Sequence, residues 1–110
     1  MNKKKFIAFA NKNLKKAYLE LKEGKFEERK LFNFINRAFD DLKENPFCGI
    51  KIPHDRWPKE YEQKKINNLW KYNLPNAWRL IYTLVGDEIK IVSMILEWFD
   101  HKSYNRKFNY

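Results

Sequence analysis

Cysteine and other metal-binding side chains are scarce in this sequence. The chain has one cysteine, Cys48, and two widely separated histidines, His54 and His101. A single thiol forms no internal disulfide, and these three side chains lack the spacing of a zinc site. We therefore predict a protein that uses no metal and no cofactor and that works in a reducing, cytoplasmic setting.

Long apolar runs are also missing. The apolar run near the N-terminus covers residues 6–10, which is shorter than the hydrophobic region of a signal peptide. Elsewhere no apolar span reaches the roughly 18 residues that a membrane-spanning helix needs. The sequence therefore predicts neither secretion nor a membrane partner.

Positive charge and aromatic rings are abundant instead. The chain carries 23 Lys and Arg residues against 14 Asp and Glu residues, a net charge of +9. This charge favours an anionic partner, either a nucleic acid or an acidic protein, and does not choose between them. With 9 Phe, 6 Tyr and 4 Trp, 110 residues can bury a core without disulfides. We predict one domain over residues 1–110.

The N-terminal half has helical periodicity. Apolar residues recur at helical spacing over residues 11–24, where Gly24 can end the helix. A second apolar stripe covers residues 28–44, and Pro46 prevents its continuation. We predict that the two helices form an antiparallel hairpin. For residues 4–10, the periodicity fits either a first helical turn or a short strand.

Alternation of apolar and polar residues predicts three antiparallel strands in the C-terminal half, over residues 66–74, 78–85 and 88–96. Residues 46–65, which hold three of the four prolines, read as an ordered connection without long elements. The first strand-to-strand turn, Pro75-Asn76-Ala77, would pair Leu74 with Trp78. Lys71 and Arg79 would then share the sheet face that is opposite the helices.

The second turn sets the register of the last strand. A two-residue Gly86-Asp87 turn would pair Val85 with Glu88. This pairing sends one set of side chains to the helix side of the sheet: Ile89, Ile91, Ser93 and Ile95. The alternating set would lie on the Arg79 side: Lys90, Val92 and Met94.

Three segments of the C-terminal half form a recognisable set: WKYNL, which contains Lys71, AWRLIYTL, which contains Arg79, and DHKSY, which runs from Asp100 to Tyr104. They resemble the RelE/ParE toxin superfamily, and the resemblance is strongest over residues 42–110. The resemblance implies an α+β fold in which an N-terminal strand and a helical hairpin pack on a small curved antiparallel sheet, with helices on one side. It thereby assigns residues 4–10 to a strand.

The resemblance also implies a function. RelE-type members are metal-independent endoribonucleases that cut mRNA, usually on the ribosome, and a small antitoxin neutralises them. The expected partners are therefore mRNA, the ribosome and a small acidic antitoxin. Two alternatives stay open: a ParE-type toxin that inhibits a topoisomerase, and an inactive basic RNA-binding module, which the short spacing within DHKSY favours.

Three residues match positions that carry catalysis in the family. Arg79 can grip two oxygens of a phosphate at once. His101 can accept or donate a proton near neutral pH, and Tyr104, one helical turn later, can donate a proton or stack on a base. Each also has a plainer interpretation: an ion-paired strand arginine, a structural histidine and a packing ring.

Four lysines are expected to bind RNA phosphates. Lys71 matches a strand lysine of the family, and Lys102 roughly matches the basic residue that follows the last strand. Lys64 and Lys65 belong to the basic stretch of residues 51–79, which carries 7 basic and 3 acidic side chains. Taken singly, such a lysine is most often a solvated surface charge.

Overall fold

A computed structural model describes residues 3–108 of this protein, so the predicted domain extends two residues further at each end. The described part contains five strands and four helices. The strands are β1 (Lys4–Phe9), β2 (Ile50–Lys51), β3 (Trp70–Asn73), β4 (Arg79–Gly86) and β5 (Lys90–Phe99). The helices are α1 (Lys12–Lys22), α2 (Phe26–Glu44), α3 (Lys59–Glu62) and α4 (His101–Phe108). The predicted α+β class is confirmed.

The strands form one open sheet in the order β1-β5-β4-β3-β2. Strand β1 runs parallel to β5, and the remaining neighbours are antiparallel. The predicted antiparallel pairing of β3, β4 and β5 is confirmed, but the N-terminal strand joins them in parallel, so the sheet as a whole is mixed and not antiparallel as expected. The physical reason is the helical hairpin, because a parallel pair requires a long crossover and α1 and α2 supply it between β1 and the other strands.

The N-terminal residues resolve the alternative that periodicity left open, because they form strand β1 rather than helix. Helix α1 then begins after Asn11, whose side-chain oxygen accepts a hydrogen bond of 2.8 Å from the backbone N–H of Leu14. This contact satisfies one of the free N–H groups at the helix start.

Helix α2 packs against both α1 and the sheet. It begins at Phe26, slightly before the predicted start, and ends at Glu44 as predicted. Its buried stripe contacts the sheet: Leu31, Ile35, Ala38, Phe39 and Leu42. Full burial of one large aliphatic side chain contributes about 1.5–3 kcal/mol, so this stripe holds the hairpin to the sheet.

The sheet is covered on both faces. Helices α1 and α2 lie on one face, and a second apolar cluster lies on the other, where α3 supplies Tyr61 and α4 supplies Tyr104 and Phe108. The expectation that all helices would lie on one side was therefore wrong. Burial of these rings against Ile81 and Leu96 gives the second face its own small core.

The turn between β3 and β4 has the predicted register. The backbone N–H of Leu74 donates to the carbonyl of Trp78 at 2.9 Å, and Asn73 pairs with Arg79. Strand β3 is shorter than predicted, however, because residues 66–69 leave the ladder. Asn68 replaces the backbone there, since its carboxamide bonds both the N–H and the carbonyl of Leu84, at 2.8 and 2.9 Å.

The turn between β4 and β5 differs from the prediction. Val85 pairs with Val92 rather than with Glu88, and Ile89 lies in the turn, 72% exposed, rather than on the helix side. The cause is Asp87, whose carboxylate accepts the backbone N–H groups of Ile89 and Lys90 at 2.8 and 2.9 Å and holds a wider turn. These bonds, that of Lys90 first, lower the pKa of Asp87.

The predicted side-chain faces survive this error in register. The partner of Val85 moves by four residues, and an even shift leaves each side chain of a strand on its original face. Ile95 therefore packs in the helix-side core, and Met94 packs on the opposite face, both as predicted.

Candidate functional site

Two basic side chains from neighbouring strands meet at one aromatic ring on the sheet face opposite α1 and α2. The Nζ atom of Lys71 lies 5.1 Å from the centroid of the Tyr104 ring, and the Cζ atom of Arg79 lies 5.7 Å from it. The shared face predicted for Lys71 and Arg79 is confirmed. The structure also brings Tyr104 to that face, while the catalytic roles of these residues stay predictions.

Strand pairing explains why the two cations lie together. Lys71 pairs with Ile81, and Arg79 is two residues before Ile81 on the same strand, so all three side chains lie on one face. Ile81 is fully buried and belongs to the apolar cluster beneath α4. The cations therefore lie beside a buried apolar cluster.

Arg79 has an unusual environment for a charged side chain. One terminal nitrogen donates to the carbonyl of Trp78 at 3.1 Å. Its Nε atom is buried, and no hydrogen-bond acceptor among residues 3–108 reaches it. A buried donor without a partner is energetically costly, so it favours an incoming acceptor such as a phosphate oxygen.

Tyr104 is held in place by rings and by the start of its helix. It is 3% exposed, and its ring stacks on Phe108 with centroids 4.6 Å apart. Asp100 caps α4, because its side chain accepts the backbone N–H of Ser103 at 2.8 Å. That bond is the main cause that lowers the pKa of Asp100. In this conformation the buried Tyr104 ring is closed to base stacking, contrary to one of its expected roles.

His101 and Lys102 lie on the outer side of α4. Both are exposed, and Nε2 of His101 lies 3.1 Å from Nδ2 of Asn105. His101 follows Phe99, the strand partner of Arg79, by two residues, so its backbone lies at the same end of the sheet as Arg79. Its side chain does not join the described contacts among Lys71, Arg79 and Tyr104.

Lys64 and Lys65 lie elsewhere. Both are exposed, and Lys65 lines a cleft of about 410 Å³ together with Val85 and Gly86 at the far end of β4. Val85 is six residues from Arg79, which in a strand corresponds to roughly 20 Å. The structure therefore separates these two lysines from the cationic site that they were expected to share.

Two residues of this sheet face, Tyr61 and Glu97, were not predicted from the sequence. Tyr61 of α3 is 2% exposed, and its hydroxyl donates to Oε2 of Glu97 at 2.9 Å. Burial, followed by the charge of Glu97, raises the pKa of Tyr61. The residues come from distant parts of the chain, and the short helix that carries Tyr61 lies in a proline-rich stretch, so no local pattern announces their contact.

Residues 3–108 contain no group of three or more His, Cys, Asp or Glu side chains that could hold a metal ion. Within the same residues, no helix is long and apolar enough to cross a membrane. No protein-family model, curated protein or solved structure matches this chain. What defines it is its own architecture, an α+β fold with two cations against a buried tyrosine.

Proposed function

We propose that this protein is the toxin of a type II toxin–antitoxin pair and that it is a metal-independent mRNA endoribonuclease that acts on the ribosome in the cytoplasm. The observation that carries the proposal is the approach of Lys71 and Arg79 to Tyr104 on one sheet face. The resemblance of the WKYNL, AWRLIYTL and DHKSY segments to RelE-like toxins supports it. The finer likeness of the fold to that family is part of the same proposal.

The two cations suit the charge that develops during RNA cleavage. Attack of a ribose 2′-OH on the adjacent phosphorus adds negative charge to the phosphate oxygens, and fixed cations lower the energy of that state. Arg79 would bind two of these oxygens through its planar fork, including its buried Nε. Lys71 would add a point charge from β3.

Tyr104 and His101 are the candidate proton-transfer groups. Both cations approach the ring of Tyr104, so a phosphate bound by them would lie close to this residue. His101 would reach the site from the first turn of α4, and the exposed Lys102 would bind the RNA backbone beside it.

The expected antitoxin is a small acidic protein. The net charge of +9 would attract it, and an acidic segment that covers Lys71 and Arg79 would exclude RNA from the site. A short acidic reading frame directly beside the gene would support this partner.

The side chain of His101 lies outside the described contacts among Lys71, Arg79 and Tyr104, and this favours one alternative function, an RNA-binding module without catalytic activity. A toxin that inhibits a topoisomerase is a further alternative, since it would need the fold but no proton-transfer groups. Neither alternative predicts new RNA ends in the cell.

Controlled expression in a bacterial host separates these functions. The wild-type chain should arrest growth and produce new mRNA 5′ ends, and Arg79→Ala and His101→Ala should reduce both effects. Arg29→Ala is the matched control, because Arg29 is an exposed arginine on α2, away from the site. Growth arrest with unchanged mRNA would exclude the nuclease and favour a protein target.

A further inference from the structure

A β-bulge turns one carboxylate toward the candidate site. Tyr82 pairs with Ile95, but its neighbour Ile81 pairs with Glu97, so Leu96 is an extra residue in β5. Without the bulge, Glu97 would share the helix side with Ile95. With it, Glu97 and Leu96 both lie on the face of the site, and bulges of this kind often re-aim a side chain next to an active site.

Strand register brings Glu97 close to both cations. Ile81 pairs with Lys71 on one side and with Glu97 on the other, so Lys71 and Glu97 are two strands apart, or roughly 10 Å between α-carbons. Arg79 pairs with Phe99 and is diagonal to Glu97, a separation of roughly 7–8 Å. Side chains from these positions can contact one phosphodiester together.

Tyr61 fixes the orientation of this carboxylate. Its buried hydroxyl donates to Oε2 of Glu97 at 2.9 Å, and Glu97 itself is half-buried. A hydrogen bond from a rigid, buried donor restricts the rotamers of Glu97 and leaves the second carboxylate oxygen for another contact. Glu97 is thus held on the same sheet face as Arg79.

We propose that Glu97 is the general base of the RNA cleavage and that Tyr61 is its positioning residue. This role rests on the endoribonuclease function proposed for the chain. The Glu97 carboxylate removes the proton of the ribose 2′-OH, the O2′–P bond forms, and the P–O5′ bond breaks. The 5′ oxygen leaves with a proton from His101 or water, which yields a 2′,3′-cyclic phosphate and a 5′-hydroxyl.

A role as general base accounts for the position of the Glu97 carboxylate beside Lys71 and Arg79. A carboxylate beside two phosphate-binding cations weakens the binding of the anionic substrate by charge repulsion, so a purely RNA-binding surface gains nothing from it. A catalyst does gain, since the 2′-OH must lose its proton during the attack and a positioned base typically contributes about 10²–10⁴-fold in rate.

The test uses the purified 110-residue chain and a short mRNA, free and bound to ribosomes, over a range of mRNA concentrations. We expect Glu97→Gln to lower the cleavage rate by about 10²–10⁴-fold. The loss in Glu97→Gln should appear in kcat and not as a raised KM, because the carboxylate acts on the reacting 2′-OH and does not bind the phosphates. Tyr61→Phe should lower kcat less than Glu97→Gln does and should also leave KM unchanged.

Matched controls separate catalysis from folding. Glu88→Gln, an exposed glutamate in the turn before β5, should cleave like the wild type. Thermal unfolding of each variant checks that the fold is kept, and glutamine preserves an acceptor for Tyr61. Cleavage by Glu97→Gln with the wild-type kcat would overturn the role of Glu97 alone. If the wild-type chain cuts neither free nor ribosome-bound mRNA, the proposed function fails together with it.

Discussion

Arg79 holds its guanidinium carbon 5.7 Å from the centre of the Tyr104 ring. A cation over an aromatic face gains about 0.5–1 kcal/mol when exposed and about 2 kcal/mol when desolvated. The contact ties β4 to α4 and orients the arginine before any ligand arrives. A pre-oriented cation loses less conformational freedom on binding a phosphate, which is what an electrostatic catalyst requires.

The planar geometry of the Arg79 guanidinium should matter more for cleavage than its positive charge. Arg79→Lys keeps the positive charge but loses the planar fork and its buried Nε donor. We expect Arg79→Ala to reduce mRNA cleavage by about 10²–10³-fold, as for the loss of one transition-state donor, and Arg79→Lys to restore little of it. Rates with ribosome-bound mRNA measure this, and Arg29→Lys is the control. Full activity of Arg79→Lys would mean that only charge is needed.

Two substitutions at Tyr104 should separate the packing of its ring from a role of its hydroxyl in proton transfer. Tyr104→Phe keeps the ring that stacks on Phe108, so its free energy of unfolding should stay near that of the wild type. Tyr104→Ala should lose about 3–5 kcal/mol, as for other buried aromatic residues. If the hydroxyl transfers a proton, Tyr104→Phe should still cleave about 10²–10⁴-fold more slowly. Denaturant unfolding and cleavage rates, measured on the same samples, distinguish a stable active variant from a stable inactive one.

Alkaline pH should destabilise the fold through Tyr72, which is partly buried and bonded to Asp41. Burial, followed by the hydrogen bond with Asp41, raises the pKa of Tyr72 to about 12. An unfolded tyrosine has a pKa of about 10, so this contribution is complete below pH 10 and is lost as the pH rises through the folded-state pKa. The free energy of unfolding should therefore fall between about pH 10 and about pH 12. Urea unfolding should show a smaller fall in Tyr72→Phe, and an identical fall would assign the effect to other groups.

Lys64 and Lys65 should be dispensable for cleavage. They lie at the far end of β4, roughly 20 Å from Arg79 along the strand. A double change of Lys64→Ala and Lys65→Ala should leave the rate on bound substrate unchanged, whereas Lys71→Ala should lower it. Single-turnover cleavage at saturating mRNA is the appropriate measurement. A loss in the double variant as large as that in Lys71→Ala would place RNA over the whole sheet face.

Local patterns predicted much of this fold. The stripe of α2 and the alternation around Arg79 identified both elements, since each signal is contained in consecutive residues. The side-chain faces of β5 were predicted correctly although the predicted partner of Val85 was wrong. A register shift by an even number of residues keeps Ser93 and Ile95 on the helix side.

The features that the sequence did not predict depend on contacts between residues distant in sequence or on irregularities of the backbone. The wide turn is caused by side-chain bonds of Asp87, and the bulge at Leu96 has no signature in the alternation. Consequently Glu97 and Tyr61 were missed, while Lys71, Arg79 and Tyr104 were brought together as the register and the resemblance implied.

The chemistry of the RNA ends tests the central claim most directly. Purified protein is mixed with ribosome-bound mRNA, and the new termini are identified at single-nucleotide resolution. We predict 2′,3′-cyclic phosphate and 5′-hydroxyl ends with the wild type, far fewer of them with Arg79→Ala, and none at a site where the ribose carries a 2′-deoxy substitution. Intact mRNA, or cutting that persists at the 2′-deoxy site, would contradict the account.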